Sequence, residues 1–375
     1  MKVLHLPSAV GGNPQGLSKH LNQLGIQSET WVFKQNYIQY PVTKVLFSQN
    51  DFLISREMKR LKAFLYVFAD YDVIHYNFGS TLYSWESMYP NDNSFLKKRF
   101  RSFYSAYLSF MQLFELNILK WRKILVFVHY QGTDARQGDY CIEHFGPEVG
   151  PQVSYQFYTP ESDVRKRREI QRLSKYCKKI YALNPDLMYV LPPQTEFIPY
   201  SHISLNEWTP NYTQLQNRPL KIGHAPSNRK AKGTQFLLDA LDNLKQEGYK
   251  FELILVEGMS HADAKAQYQD IDILVDQLLL GWYGGLAVEA MALGKPVIVY
   301  IREQDLGFVP PEMVNDFPFI QSSLETIEET LRLVLKMPRE KLWAIAQQSR
   351  AYVEKWHDPL KIASKILKDY ESFLS

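Results

Sequence analysis

Short apolar runs bounded by charged or small residues recur along the chain, separated by longer segments with apolar positions three or four apart. The first kind reads as strands buried in parallel sheets and the second as helices covering them. In the first half the predicted strands are Lys2 to Leu6, Ile26 to Phe33, Asp72 to Asn77, Ile124 to Tyr130, Lys179 to Leu183 and Glu196 to Tyr200. Leu17 to Leu24, Asp51 to Ala69, Ser94 to Arg122 and Asp163 to Cys177 are the predicted helices, and Asn184 to Leu187 starts another. Pro7 to Gly16 reads as a loop, and residues 137–164 as an irregular surface excursion. A linker over 201–218, rich in Asn, Gln, Ser, Thr and Pro, leads to a second alternation. Its strands start at Leu220, Phe251, Asp272 and Pro296. Its helices span Gln235 to Glu247, His261 to Tyr268, Leu286 to Leu293, Leu324 to Leu335, Arg339 to Lys355 and Leu360 to Phe373. Two βαβ alternations predict an α/β chain of two Rossmann-like domains with parallel sheets, over 1–200 and 219–355.

The most informative stretch runs from Asp272 to Tyr300. A short buried strand is followed by the loop Gly281-Trp282-Tyr283-Gly284-Gly285, then by strong helix formers stopped at Gly294, then by a second strand. The helix N-terminus then faces the carboxyl edge of the sheet, where the amides of Tyr283, Gly284, Gly285 and Leu286 can hold a phosphate. Glu289, one turn inside, brings a carboxylate beside it. Gly11 and Gly12 after the first strand let a backbone approach a ligand closely. Lys232 and Arg229 offer two cations, and Glu257 and Asp276 end strands at the same edge. His75 and His129 also end strands there, and His129 opens the run His129-Tyr130-Gln131-Gly132-Thr133-Asp134-Ala135-Arg136. A lone histidine is more often a packed core residue than a catalyst. The Asp134 and Arg136 that follow favour a site role for His129, and for His75 the two readings balance.

The run Glu289-Ala290-Met291-Ala292-Leu293-Gly294-Lys295-Pro296-Val297 resembles the donor-binding domain of retaining, sugar-nucleotide-dependent glycosyltransferases of the GT-B fold. That large family includes sucrose synthases and bacterial mannosyltransferases (glycosyl transferases group 1, family 4-like). The resemblance implies two domains facing across a cleft, with residues 356–375 crossing back to the first. It also implies a nucleotide-diphosphate sugar as donor and transfer to a glycan, glycolipid or protein-linked acceptor with retained anomeric configuration. Glu289 would accept hydrogen bonds from the ribose hydroxyls, Lys232 and Arg229 would neutralise the departing diphosphate, and His129 would lie against the donor sugar. His75, Asp134 and Arg136 would stand on the acceptor side. The chain is read as offering no Asp-x-Asp pair for a metal, so metal independence and no cofactor are expected. The family's other glutamate, eight positions before Glu289, would fall at Gly281. Asp276 would supply that carboxylate instead, or the sugar would need less there. The alternative is a catalytically silent module that binds an acceptor or partners an active transferase.

Composition narrows the classes. The chain has 375 residues, 45% apolar and 22% charged, as in ordinary globular proteins. Two cysteines, Cys141 and Cys177, argue for a reducing compartment, and MKVLHLP enters a strand pattern without a signal peptide. The expectation is a cytoplasmic, bacterial enzyme of surface polysaccharide or glycoconjugate synthesis. A net charge of +3 is too mild to argue for nucleic acid on its own, and no nucleic acid is expected as partner. Residues 94–122 are apolar nearly all round, with Lys97, Lys98, Arg99 and Arg101 at the start. A core helix with a basic end is the plainer reading, and peripheral contact with the inner face of a membrane the sharper one. The basic helix from Asp163 reads as a solvated face.

Overall fold

The computed structural model describes residues 1–35, 39–48, 50–84, 95–146, 158–212 and 218–374, with side chains of 95–98 left aside. Residues 147–157 of the expected excursion, 213–217 of the expected linker, and the Lys97 and Lys98 side chains therefore lie outside the described residues.

Seven parallel strands form the first sheet: β1 (Lys2–Leu6), β2 (Gln27–Val32), β3 (Lys44–Val45), β4 (Val73–Asn77), β5 (Leu125–Tyr130), β6 (Lys179–Ala182) and β7 (Glu196–Phe197). Their order is β3-β2-β1-β4-β5-β6-β7. The second sheet has β8 (Leu220–His224), β9 (Phe251–Leu255), β10 (Ile273–Val275), β11 (Val297–Val299) and β12 (Ile320–Gln321), in the order β12-β11-β10-β8-β9. The central strands are buried on both faces, which is why they read as unbroken apolar runs. Edge strands β3 and β12, two residues each, left no such signature.

Helices α1 (Asn13–Gln23), α2 (Leu53–Asp70), α3 (Phe95–Trp121), α4 (Gly138–Phe145) and α5 (Pro160–Leu173) belong to the first sheet. Helices α6 (Thr234–Gln246), α7 (His261–Asp270), α8 (Gly285–Ala292) and α9 (Ile327–Lys336) belong to the second. Two expectations are corrected here. Helix α1 begins at Asn13 rather than Leu17, with Gly16 inside it. A Cβ on Gly16 would stand 2.4 Å from the Ser201 carbonyl oxygen, so glycine is required by close approach rather than by a loop. The expected excursion contains α4 and the start of α5, whose first turn is closed by a Thr159/Ser162 capping box.

Helices α10 (Arg339–Trp356) and α11 (Pro359–Leu374) close the molecule. α10 packs on α8, and α11 crosses back onto α1 and β5. There Tyr370 is fully buried with its ring 4.7 Å from Phe127. His357, at the break between them, donates from Nδ1 to the Tyr200 carbonyl at 2.9 Å and accepts at Nε2 from the Tyr283 hydroxyl at 3.0 Å. Burial holds this ring neutral, pushing it down to about 3. One histidine thus ties the end of the first domain to the glycine loop of the second.

Candidate functional site

Between the two sheets lies a crevice of about 230 Å³. Gly11 and Tyr40 line it from the first domain, His202 from the crossing segment, and Lys232, Glu257, His261, Gly285, Leu286 and Glu289 from the second. Helix α8 points its N-terminus into this space, with Gly284 as the residue before its first turn. Among the first-turn amides, those of Gly285 and Leu286 have no intrahelical acceptor by geometry, so they can serve a ligand.

Glu289 is the electrostatic centre. Its Oε1 accepts from His261 Nε2 at 2.8 Å, and His202 Nε2 stands 3.3 Å from the same oxygen. Burial alone would raise the carboxyl, but the two imidazoles outweigh it and hold Glu289 down at about 2. His261 moves the other way: burial lowers it, and the carboxylate more than reverses that. The arrangement therefore keeps a buried anion ionised at every physiological pH.

Asp276 does not face a sugar. Its Oδ1 accepts from Lys232 Nζ at 2.6 Å and its Oδ2 from the Gly284 amide at 2.7 Å, while its side chain is wholly buried. It fixes the lysine beside the loop, so the carboxylate expected to replace the missing glutamate is already engaged. Position 281 explains the absence itself. Gly281 has φ +73°, and a Cβ there would come within 2.8 Å of the Arg302 guanidinium carbon. Arg302 pairs with Asp305 at 3.0 Å and lies 3.7 Å over the Phe145 ring of the first domain. The space a glutamate side chain would need is filled by an arginine that bridges the domains.

Other expected residues fall elsewhere. Tyr283 puts its side chain in the core, hydrogen-bonded to Tyr352 at 3.0 Å, leaving only its backbone near the loop. Gly12 packs against Tyr40 and does not itself line the crevice. Arg229 is exposed and holds Glu257 through two hydrogen bonds, one of 2.8 Å. His75 and His129 are buried inside the first sheet, stacked 5.2 Å apart. Asp134 accepts from the amides of Gln131 and Gly132, and Arg136 forms a buried pair with Asp186 at 2.6 Å. These four shape the strand edge and its loop and do not line the crevice. Two Asp-x-Asp triplets do exist, Asp70-Tyr71-Asp72 and Asp270-Ile271-Asp272. They sit before β4 and β10, at the sheet edges away from the crevice, with Asp70 on Lys2, Asp272 on Arg218 and Asp270 on Lys221. Sequence reasoning missed Tyr40, His202 and His261. Only the fold carries them to Glu289, and nothing local marks them.

No family model matches the chain, and no curated protein matches it. Solved structures do. Sucrose-phosphate synthase from Thermosynechococcus elongatus aligns over 100% of this chain and 98% of its own, at 15% identity and a TM-score of 0.61. HepE of Anabaena, in complex with UDP-glucose, aligns over 99% and 100% at 13% identity and 0.60. The catalytic domain of starch synthase IV from Arabidopsis thaliana, bound to ADP and acarbose, aligns over 99% and 98% at 11% identity and 0.58. At these identities the likeness establishes the fold, which is GT-B along the whole chain.

Proposed function

We propose that this GT-B chain is a glycosyltransferase that takes a sugar from a nucleoside-diphosphate donor bound in the crevice. The observation that carries the reading is the convergence, on one crevice, of an ionised Glu289, a Lys232 held by Asp276, and the opening amides of α8. A carboxylate is suited to accept two ribose hydroxyls, while amides and an ammonium suit a diphosphate. The structural neighbours carrying UDP-glucose or ADP support the same donor class.

Departure of the nucleoside diphosphate concentrates negative charge on its terminal phosphate. Lys232 and the α8 amides stabilise that charge as it develops, so transfer proceeds without a divalent ion. Among the described residues two carboxylates line the crevice, and both are already engaged, Glu257 by Arg229 and Glu289 by His261. Neither is a free base for attack from the opposite face, which supports retained configuration. The acceptor is a glycan, glycolipid or protein-linked acceptor reached from the first domain.

Calorimetry with UDP, GDP, ADP and dTDP, followed by turnover of the matching sugars with and without EDTA, tests the reading. Binding of one nucleotide and EDTA-resistant turnover are expected. Tight binding with no turnover of any sugar would point to the silent module, and no binding at all would end the proposal.

A further inference from the structure

Helix α3 is apolar on two sides, and the structure buries only one. Tyr104, Leu108, Leu116 and Leu119 face the first sheet. Phe103, Phe110, Phe114 and Trp121 form a second stripe at seven, four and seven residues apart, and it faces outward. Phe103 is 75% exposed, Phe110 66% and Trp121 72%. Helix α2 runs alongside in the same direction, with Phe64 against Phe114 and Phe68 stacked on Trp121. It adds its own outward stripe, Ile54, Met58, Leu61 and Leu65. An apolar groove of about 410 Å³ runs between the two helices. Scattered exposed apolar residues are normal, but two parallel stripes with a groove between them form a continuous patch.

Charge says what covers it. The acidic residues of the two helices are all engaged within the chain. Glu57 accepts from Tyr104 and Tyr107, Glu115 from Tyr76 and the Leu82 and Tyr83 amides, and Asp70 from Lys2. Lys62, Lys120, Arg122 and Lys123, by contrast, are exposed. The face therefore presents aromatics and aliphatics with cations around them; Glu57 lines the groove but is held by two tyrosines, and the part-exposed Asp70 at the end of α2 is paired with Lys2.

We propose that this face seats on an anionic lipid bilayer, with the aromatic stripe in the headgroup layer and the cations on lipid phosphates. No described helix is long and apolar enough to cross a membrane, so the contact is interfacial. In a parallel sheet the helix N-termini lie at the carboxyl edge of the strands, so the face runs up to the crevice side of the first domain. The inference does not depend on the donor reading: binding to lipid is measured without any nucleotide.

The test is flotation of the full chain with phosphatidylcholine vesicles, with and without phosphatidylglycerol, at low and high salt. Binding to the anionic vesicles at low salt is expected. Lys120→Glu/Lys123→Glu should weaken it about thirtyfold or more, and Phe103→Ser/Phe110→Ser/Trp121→Ser about tenfold or more. Leu333→Ser, an exposed apolar position on α9, should bind as the parent does. Circular dichroism melting checks that each variant is folded. Three results would overturn the proposal: no flotation at low salt, equal binding to phosphatidylcholine alone, or concentration-dependent self-association abolished by the same triple substitution. The last would assign the face to a second copy of the chain.

Discussion

Two groups of histidines occupy this molecule, and the difference between them lies in a single carboxylate. His5, His75 and His129 stack through the first sheet at 5.1 and 5.2 Å. Their links are to one another and to the Tyr370 hydroxyl, and neither nitrogen of His5 has a partner. Burial pushes His5 and His129 down to about 3 and His75 well below its usual value, so the row is neutral packing. His202 and His261 close instead on Glu289, where His261 is raised and the carboxylate is held ionised. The first three lie within strands, whereas His202 and His261 lie outside them and meet an anion.

Removing that anion is the strongest way to break the contrast. Glu289→Ala leaves His261 without its counter-charge and should cost about 3 kcal/mol of stability at pH 7, the low end for a broken buried pair because His261 is partly exposed. The loss should show as a lower denaturant midpoint. Nucleotide-sugar affinity should fall roughly 10- to 150-fold, the worth of a charge-assisted contact of about 1.5–3 kcal/mol. Calorimetry on the folded variant reads it.

Gly281→Glu, which writes the family's other carboxylate back into the loop, should not restore anything. The left-handed backbone and the Arg302 side chain both oppose it, at a cost of about 1–3 kcal/mol. A lower melting temperature with no gain in donor affinity is expected. A gain would show that the Arg302 bridge to Phe145 opens readily.

The histidine row can be tested by pH. Its folded values lie below the usual 6.5, so the unfolded chain binds more protons. Stability is then complete above about pH 6.5 and is lost as pH falls toward 3, by up to about 1.4 kcal/mol per unit for each histidine. Glu289, held at about 2, keeps its full contribution above about pH 4.5 and loses it from there down. Between pH 6.5 and 5, His357 falls with the row and Glu115, raised to about 7, opposes it, so the row is read from the difference between parent and variant. His5→Leu should flatten that slope in a series of denaturant melts. An unchanged slope would mean the row already opens to water.

Most elements were legible because parallel strands buried on both faces and helices with one apolar side leave period signatures. The helix from Gly285 to Ala292, with its glycine stop and following proline, was readable to within a residue. The start of α1 was not, because Gly16 serves a contact with Ser201 made 185 residues away. The second apolar stripe of α3 was visible as all-round apolarity, but sequence could not say which side meets the sheet. At the site, Glu289 and Lys232 were marked by local motif. His202, His261 and Tyr40 come from three separate segments, and Asp276 was legible as a carboxylate but not as one already engaged by Lys232 and Gly284.

The smallest expected effect separates the two cations that sequence placed together. Lys232 lines the crevice against a buried aspartate, so Lys232→Ala should cost donor affinity on the scale of a charge-assisted contact, about 1.5–3 kcal/mol. Arg229 is exposed, stands off the lining and holds Glu257 in water, where an ion pair is heavily screened. Arg229→Ala should therefore leave the melting temperature unchanged and weaken donor binding only slightly, through loss of order in Glu257. The comparison is sharpened by salt: raising ionic strength should erase the small Arg229 effect and leave most of the Lys232 effect, because only the first is fully open to screening. If Arg229→Ala instead matched Lys232→Ala in calorimetry, the arginine would have to leave Glu257 and turn onto the diphosphate when donor binds, and the site would hold two working cations rather than one.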